Sequence, residues 1–467
     1  MKKGIWFLIL MLIFTGCKME VVISKAEPTD PPPAVQEETI INSENQGEND
    51  ISQEDDVEEN INDIDIQDDE NITDRAESQN KTEEEQLLPQ EAVEQQIHRA
   101  ESAAAGIYVT IQKFETQLPE TIHKNLAYDQ YPMAYNYFLV WGSNINIREL
   151  PHTGAKVLRK ALIFEKLNLA EAVRGEFLKK YKSDLWYKVY WREGEEVKQG
   201  YVFGALGEPR EFQFHKMEQV IQRLKQEVEN GKTAFVSNYK NRNGLAPAYK
   251  GKNEDHYGTL RHQSAPAYLA PDVNADFLYI PDGTLLTILE ENKKFYKVAT
   301  PNFEGQYWIP KKYVSLKNSL KQLRQVIVVD RKNQNQGVFE YKDGQWHLIS
   351  YTLATTGAKE KYKFETPLGY YMAIEKKPKF LYLDDITKEI AGYAPYAIRF
   401  TGGAYIHGIP VDFEKKEGKL IDPGHKEYLF TLGTVPRSHK CVRNYTSHAE
   451  FLYNWIEIGS SAVIVIE

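Results

Sequence analysis

The chain has 467 residues, a formal net charge of −10 and only two cysteines, Cys17 and Cys441. That length allows roughly two to four domains, and so few thiols exclude a scaffold held together by disulfides. No basic stripe interleaved with aromatics and no glycine-rich phosphate loop is present, which argues against a nucleic-acid partner or a nucleotide site.

The first element is "MKKGIWFLILMLIFTGCKME". Lys2 and Lys3 form a positive head, and Ile5 to Phe14 is an apolar run too short to span a bilayer as a mature helix. Residues 1–16 therefore read as a secretory signal. The run ends in "FTGC", which resembles a bacterial lipoprotein signal. Phe14 stands where that family usually has Leu. The resemblance implies a lipidated Cys17, hence an exported chain anchored at the outer face of the cytoplasmic membrane or in the cell envelope. An ordinary signal peptide is the alternative. If Cys17 carries lipid, Cys441 has no disulfide partner and stands as a potentially reactive thiol.

Residues 17–96 are poor in aromatics and rich in Glu, Asp, Asn and Gln, with "EPTDPPPAV" near their start. Roughly twenty acidic residues fall between Glu37 and Glu94, and without them the remainder is mildly basic. Such a segment buries too little apolar surface to offset its chain entropy, so a disordered, self-repelling tether is expected.

Residues 97–210 turn to short strands. "NIR", "PHTGAKVL", "WYKVY" and "GYVFGALG" resemble a bacterial SH3 domain. A helical linker is expected over 211–245, with Met217, Val220, Ile221, Leu224 and Val228 at helical spacing from Phe214 to Val228. The pattern then repeats over 246–318, with "PDGTLLTIL", "FYKV" and "GQYWIPKKYV" in the same order, so two SH3-like small barrels are expected. Their aromatics Tyr187, Trp191, Tyr296 and Trp308 read as barrel core in preference to ligand contacts.

Residues 324–467 are stronger strands with little helix, giving a mainly β domain. This unit holds Cys441 and four histidines, His407, His425, His439 and His448. A thiolate beside an imidazole is the minimum for thiol acyl transfer. Zinc is the rival, but no C-x-x-C or H-E-x-x-H spacing supports it. An inert buried cysteine fits poorly with Ser438, His439, Lys440 and Arg443 as neighbours.

Ser438, His439, Cys441, Val442 and Arg443 match in order the Ser/Thr-His-Gly-Cys signature of the L,D-transpeptidase catalytic domain (YkuD type), and His407 in "YIHG" matches that family's upstream histidine. "VVDRKNQNQGVFEYKDGQW", "TTG" and "ETPLG" are similar to the domain's opening strands and bend. The resemblance implies a peptidoglycan enzyme that forms 3→3 cross-links between stem peptides through a cysteine thioester, without cofactor or metal. Cys441 would be the nucleophile, His407 the base and His439 an orienting group, with Ser438, Lys440 and Arg443 shaping the pocket. Two departures stand out. Lys440 replaces the family's glycine, and the spacer from His407 to Ser438 is lengthened by "FEKKEGKLIDPGHKEY", a polar insertion that holds His425, the other candidate base. Water as acceptor would make the same site an L,D-carboxypeptidase, and a decayed site would leave a wall-binding lipoprotein. A papain-like wall hydrolase places its cysteine before its histidine, the reverse of the order here. The sequence leaves the oligomeric state open.

Overall fold

The structure is a computed structural model describing residues 108–360, 363–384, 386–416 and 418–467. The signal over 1–16, Cys17, the acidic tether over 17–96 and the start of the 97–210 unit lie outside the described residues. Among the described residues no helix is long and apolar enough to cross a membrane.

The C-terminal domain is built on two sheets. One has six strands in the order Ile122–Lys124, Gln345–Leu353, Asn335–Lys342, Gln325–Asp330, Ser461–Ile466 and Gly369–Met372. The last strand of the chain lies parallel to Gln325–Asp330, with Val326 opposite Ala462 and Val328 opposite Ile464. Both faces of this pair are covered, which explains the unbroken apolar runs "VIVV" and "AVIVI" in place of alternation. The second sheet joins Glu375–Leu383, Ile390–Thr401, Ala404–His407 and Val442–Arg443, with Val411–Asp412 against the long second strand. Between the sheets, Ile327, Val329, Val463 and Val465 meet Ile398, Phe400, Ile406 and Val442, and Leu452 joins them from the helix Thr446–Trp455.

The outer face of the six-stranded sheet is closed by residues from outside the C-terminal domain. The helix Phe214–Asn230 lays Met217, Ile221 and Leu224 on Val326, Val328, Phe339 and Ile464. Tyr135, Tyr137, Phe212 and Phe214 extend the same cluster. Ile122–Lys124 adds a parallel edge strand beside Trp346–Leu348. Two of the expected units therefore share the C-terminal sheet. Within 97–210, Ile122–Lys124 and Tyr135 pack with that sheet. The 211–245 segment is no simple linker: its helix is a wall of the C-terminal core, and its second half supplies the strand Lys232–Val236. The physical reason is burial. A sheet with apolar side chains on both faces needs a second cover, and this helix has the apolar stripe to provide it.

Residues 136–211 carry most of an antiparallel sheet built from Asn136–Val140, Ile145–Arg148, Val157–Ala161, Lys166–Leu178, Ser183–Glu193, Glu196–Phe203 and Gly207–Glu211, which Val109–Lys113 joins. Residues 232–315 carry a second sheet from Lys232–Val236, Ser264–Tyr268, Phe277–Pro281, Leu285–Glu291, Phe295–Thr300, Phe303–Pro310 and Val314–Ser315. Each encloses its own apolar cluster. Tyr187 and Trp191 are buried, whereas Tyr296 and Trp308 are only partly covered.

Candidate active site

Cys441 stands one residue before the short strand Val442–Arg443, which runs parallel to Ala404–His407. The register pairs Ile406 with Val442 and His407 with Arg443. Alternation puts Ile406 and Val442 into the core and turns His407, Arg443 and Cys441 toward the other face. The ladder thus brings the upstream histidine and the cysteine to adjacent strands and one side of the sheet. The backbone N–H of Asn444 donates to the His407 carbonyl at 2.9 Å and fixes this register.

His407 is buried, and its Nδ1 lies 2.6 Å from the Gly408 carbonyl oxygen. A carbonyl can only accept, so Nδ1 carries the proton and Nε2 is left as the acceptor. Burial pushes the imidazole pKa down to about 4, with the nearby Arg443 guanidinium acting in the same direction and the Gly408 bond opposing it. His407 is therefore neutral at pH 7, as a proton acceptor must be.

Cys441 is in no disulfide and is partly exposed, with Sγ 3.8 Å from the Gly403 carbonyl oxygen. Two cations are close enough to interact with it, Lys440 and Arg443. Burial lowers the pKa of both, and the cysteine pulls each back up. A thiolate is the form those cations favour.

The loop before the cysteine is pinned by the segments "TTG" and "ETPLG" that the sequence marked. Thr355 exchanges two backbone hydrogen bonds with Arg443, and Ala358 N–H donates to the Ser438 carbonyl at 3.0 Å. Ser438 is buried, and its Oγ donates to the Cys441 carbonyl at 2.5 Å. Thr366 Oγ1 donates to the Lys440 carbonyl and accepts from Gly357 N–H, each at 2.8 Å. Lys440 has φ +132°, a backbone conformation that glycine adopts freely and lysine only with strain. The family's glycine at this position has a plain reason, and the lysine keeps the geometry at a cost.

The remaining candidates are placed differently. His439 is exposed. His425 packs on Tyr393 and Tyr396, with ring centroids 5.8 and 5.5 Å away, within the insertion that Asp422 ties to Lys379 and Tyr393. His448 is buried behind the site, bonded to Ser350 Oγ and the Asn444 and Gln336 side chains. Sequence reasoning gave no role to Thr366, although "ETPLG" contains it, and none to Asp282 and Arg399. Asp282 lies in "PDGTLLTIL", which the sequence offers only as part of the second small-barrel pattern. Among the described residues no group of three or more His, Cys, Asp or Glu side chains converges as a metal site.

Residues 324–465 match the family model of the L,D-transpeptidase catalytic domain, YkuD. No curated protein is similar enough to the chain to count as a match. Among solved structures, a fused Zn-dependent amidase/peptidase/peptidoglycan-binding domain-containing protein from Clostridium acetobutylicum is 19% identical, covering 30% of this chain and 51% of its own, with a TM-score of 0.21. The chain thus spans about half of that protein. An L,D-transpeptidase from Mycobacterium smegmatis is 19% identical over 39% of this chain and 82% of its own, TM-score 0.25. L,D-transpeptidase 3 from Mycobacterium tuberculosis is 18% identical over 44% and 79%, TM-score 0.24. Likenesses this distant carry no weight beside the family match. That match makes residues 324–465 a YkuD-type L,D-transpeptidase catalytic domain and the chain's C-terminal unit an enzyme.

Proposed function

We propose that the protein is a peptidoglycan L,D-transpeptidase that forms 3→3 cross-links with Cys441 as nucleophile and His407 as base. The observation that carries the reading is the parallel register of His407 with Arg443, which sets a neutral imidazole and a cation-flanked thiol on one face. In this mechanism His407 Nε2 takes the thiol proton, and the sulfur attacks the carbonyl of the third residue of a tetrapeptide stem. The C–N bond to the terminal D-alanine breaks, and the imidazolium returns its proton to the departing amine. The amine of a second stem attacks the thioester, gives its proton to His407 and releases Cys441. Backbone N–H groups around Lys440 and Cys441 would receive the oxyanion. Ser438 would hold the nucleophile's loop, Arg443 would add to the burial that keeps His407 neutral, and exposed His439 would meet the substrate from outside. The reading extends to two SH3-like units and to an envelope location through a lipidated Cys17.

The test is mass spectrometry of the chain from residue 97 onward, wild type and Cys441→Ala, incubated with disaccharide-tetrapeptides. Loss of D-alanine with a dimeric product, and an acyl adduct seen only on the wild type, is the expected result. A tripeptide product alone would make the enzyme an L,D-carboxypeptidase. No turnover and no adduct from folded wild type would leave a wall-binding protein.

A further inference from the structure

The second small β unit reaches into the frame of the catalytic domain. Asp282 lies in the turn between the strands Phe277–Pro281 and Leu285–Glu291 and is buried. Its Oδ2 accepts from Arg399 Nη1 at 2.6 Å and from Gly402 N–H at 3.1 Å. Its Oδ1 accepts from Asn238 N–H at 2.7 Å, and its backbone carbonyl accepts from Thr401 Oγ1 at 2.6 Å. Arg399 is buried as well and packs on the Tyr239 ring, with 4.1 Å from the guanidinium carbon to the centroid. Next to it Gly283, at φ +80°, lets the backbones touch. A Cβ there would stand 1.9 Å from the Phe400 carbonyl oxygen.

The Asn238 bond holds Asp282 within its own unit, and the other contacts grip one hairpin, Arg399 to Ala404. That hairpin presents the Gly403 carbonyl to Cys441 Sγ, and its Gly402 lies beside the Lys440 ammonium. Burying an ion pair costs several kcal/mol of desolvation per charge, so a carboxylate placed here for stability alone would be a poor choice against apolar packing. Its bond to Gly402 N–H, one residue before the Gly403 carbonyl that meets Cys441 Sγ, makes sense of it.

We propose that Asp282 is a positioning residue for Cys441: through the Arg399–Gly403 hairpin, the second small β unit sets the thiol's location and charge environment, and is a working part of the catalytic domain in addition to any wall contact. The inference rests on the reading of Cys441 as nucleophile. The unit cannot move away from the catalytic domain during turnover without releasing the hairpin.

The experiment uses the full chain and two variants. Asp282→Asn removes the charge at the hairpin. Asp255→Asn removes a buried carboxylate of the same unit that bonds only its own loop and strand, through Tyr257, Thr259 and Tyr279 N–H. Iodoacetamide alkylation is followed against pH at the Cys441-containing peptide, with Tm and stem-peptide kinetics alongside. Asp282→Asn should shift the alkylation profile to lower pH, since Lys440 beside the thiolate loses the Asp282 counter-charge. It should also lower kcat about tenfold with KM within about twofold, as misplacement of a reacting group does. Asp255→Asn should lower Tm and leave both profile and kcat unchanged. If Asp282→Asn also changes Tm alone, the positioning role is overturned. A wild type that turns over no stem peptide, but whose alkylation profile still answers to Asp282→Asn, would uphold the positioning role and discard the transpeptidase reading.

Discussion

Thr366 is joined to Lys440 through a 2.8 Å hydrogen bond from Oγ1 to the lysine carbonyl, and the same oxygen accepts Gly357 N–H. One hydroxyl thereby ties the "TTG" strand to the residue beside the thiol. Thr366→Val keeps the shape and strands both partners, which should cost about 1–3 kcal/mol of stability. Turnover should fall with it, because the loop before Cys441 loses its tether. Thr366→Ser retains the hydroxyl and should stay close to wild type. Urea unfolding and stem-peptide kinetics on the two variants check this, and equal behaviour of Val and Ser would refute it.

Lys440 holds φ +132° with a side chain attached. Lys440→Gly should therefore raise stability by about 1 kcal/mol, whereas Lys440→Met keeps the strain and should not. Both substitutions remove an ammonium that favours the thiolate, so both should move the Cys441 alkylation profile to higher pH. The pair separates backbone from charge. A Gly variant no more stable than the Met variant would show that the backbone is unstrained.

Gly357 is required for close approach. A Cβ there would lie 2.2 Å from the Phe364 carbonyl oxygen and 2.7 Å from Lys440 Cα, both backbone atoms that cannot swing aside. Gly357→Ala should destabilise the domain by about 1–3 kcal/mol and displace the loop before Cys441. Thermal unfolding and the alkylation rate of Cys441 report the two effects. A variant that matches wild type in both would mean the strands have room to part.

Stability should decline as the solution is acidified. Burial holds His407 down to about 4 and His448 down to about 3, both below the 6.5 of an unfolded histidine. Between pH 6.5 and those values the unfolded chain binds protons that the folded chain refuses, so stability rises with pH through that window and is fully present above it. The two groups together should contribute on the order of a few kcal/mol of pH dependence. His448→Gln should flatten the slope between pH 6.5 and 4 without abolishing it, since His407 remains. Urea midpoints at pH 7, 5.5 and 4.5 measure this. An unchanged slope would assign the acid sensitivity to other groups.

The sequence by itself marked the catalytic domain and its candidate residues. "SHKC" and "YIHG" offered a thiol and an imidazole, their order argued against the papain-like alternative, and the stronger strands from Arg324 onward pointed to a mainly β domain. Such signals are local, because a motif must keep its residue types at fixed spacing and a strand must match its burial. Only the tertiary structure decided how the parts meet. That His407 and Cys441 lie on neighbouring segments of one sheet depended on the register of His407 with Arg443, a pairing between strands far apart in the chain. Phe214–Asn230 looked like a linker because its partner sheet begins a hundred residues later, and periodicity reveals an apolar stripe without saying what it covers. Asp282 was invisible for the same reason. In a turn such as "PDG" an aspartate is ordinary, and it becomes part of the surroundings of Cys441 only when folding buries it against Arg399, Gly402 and Asn238.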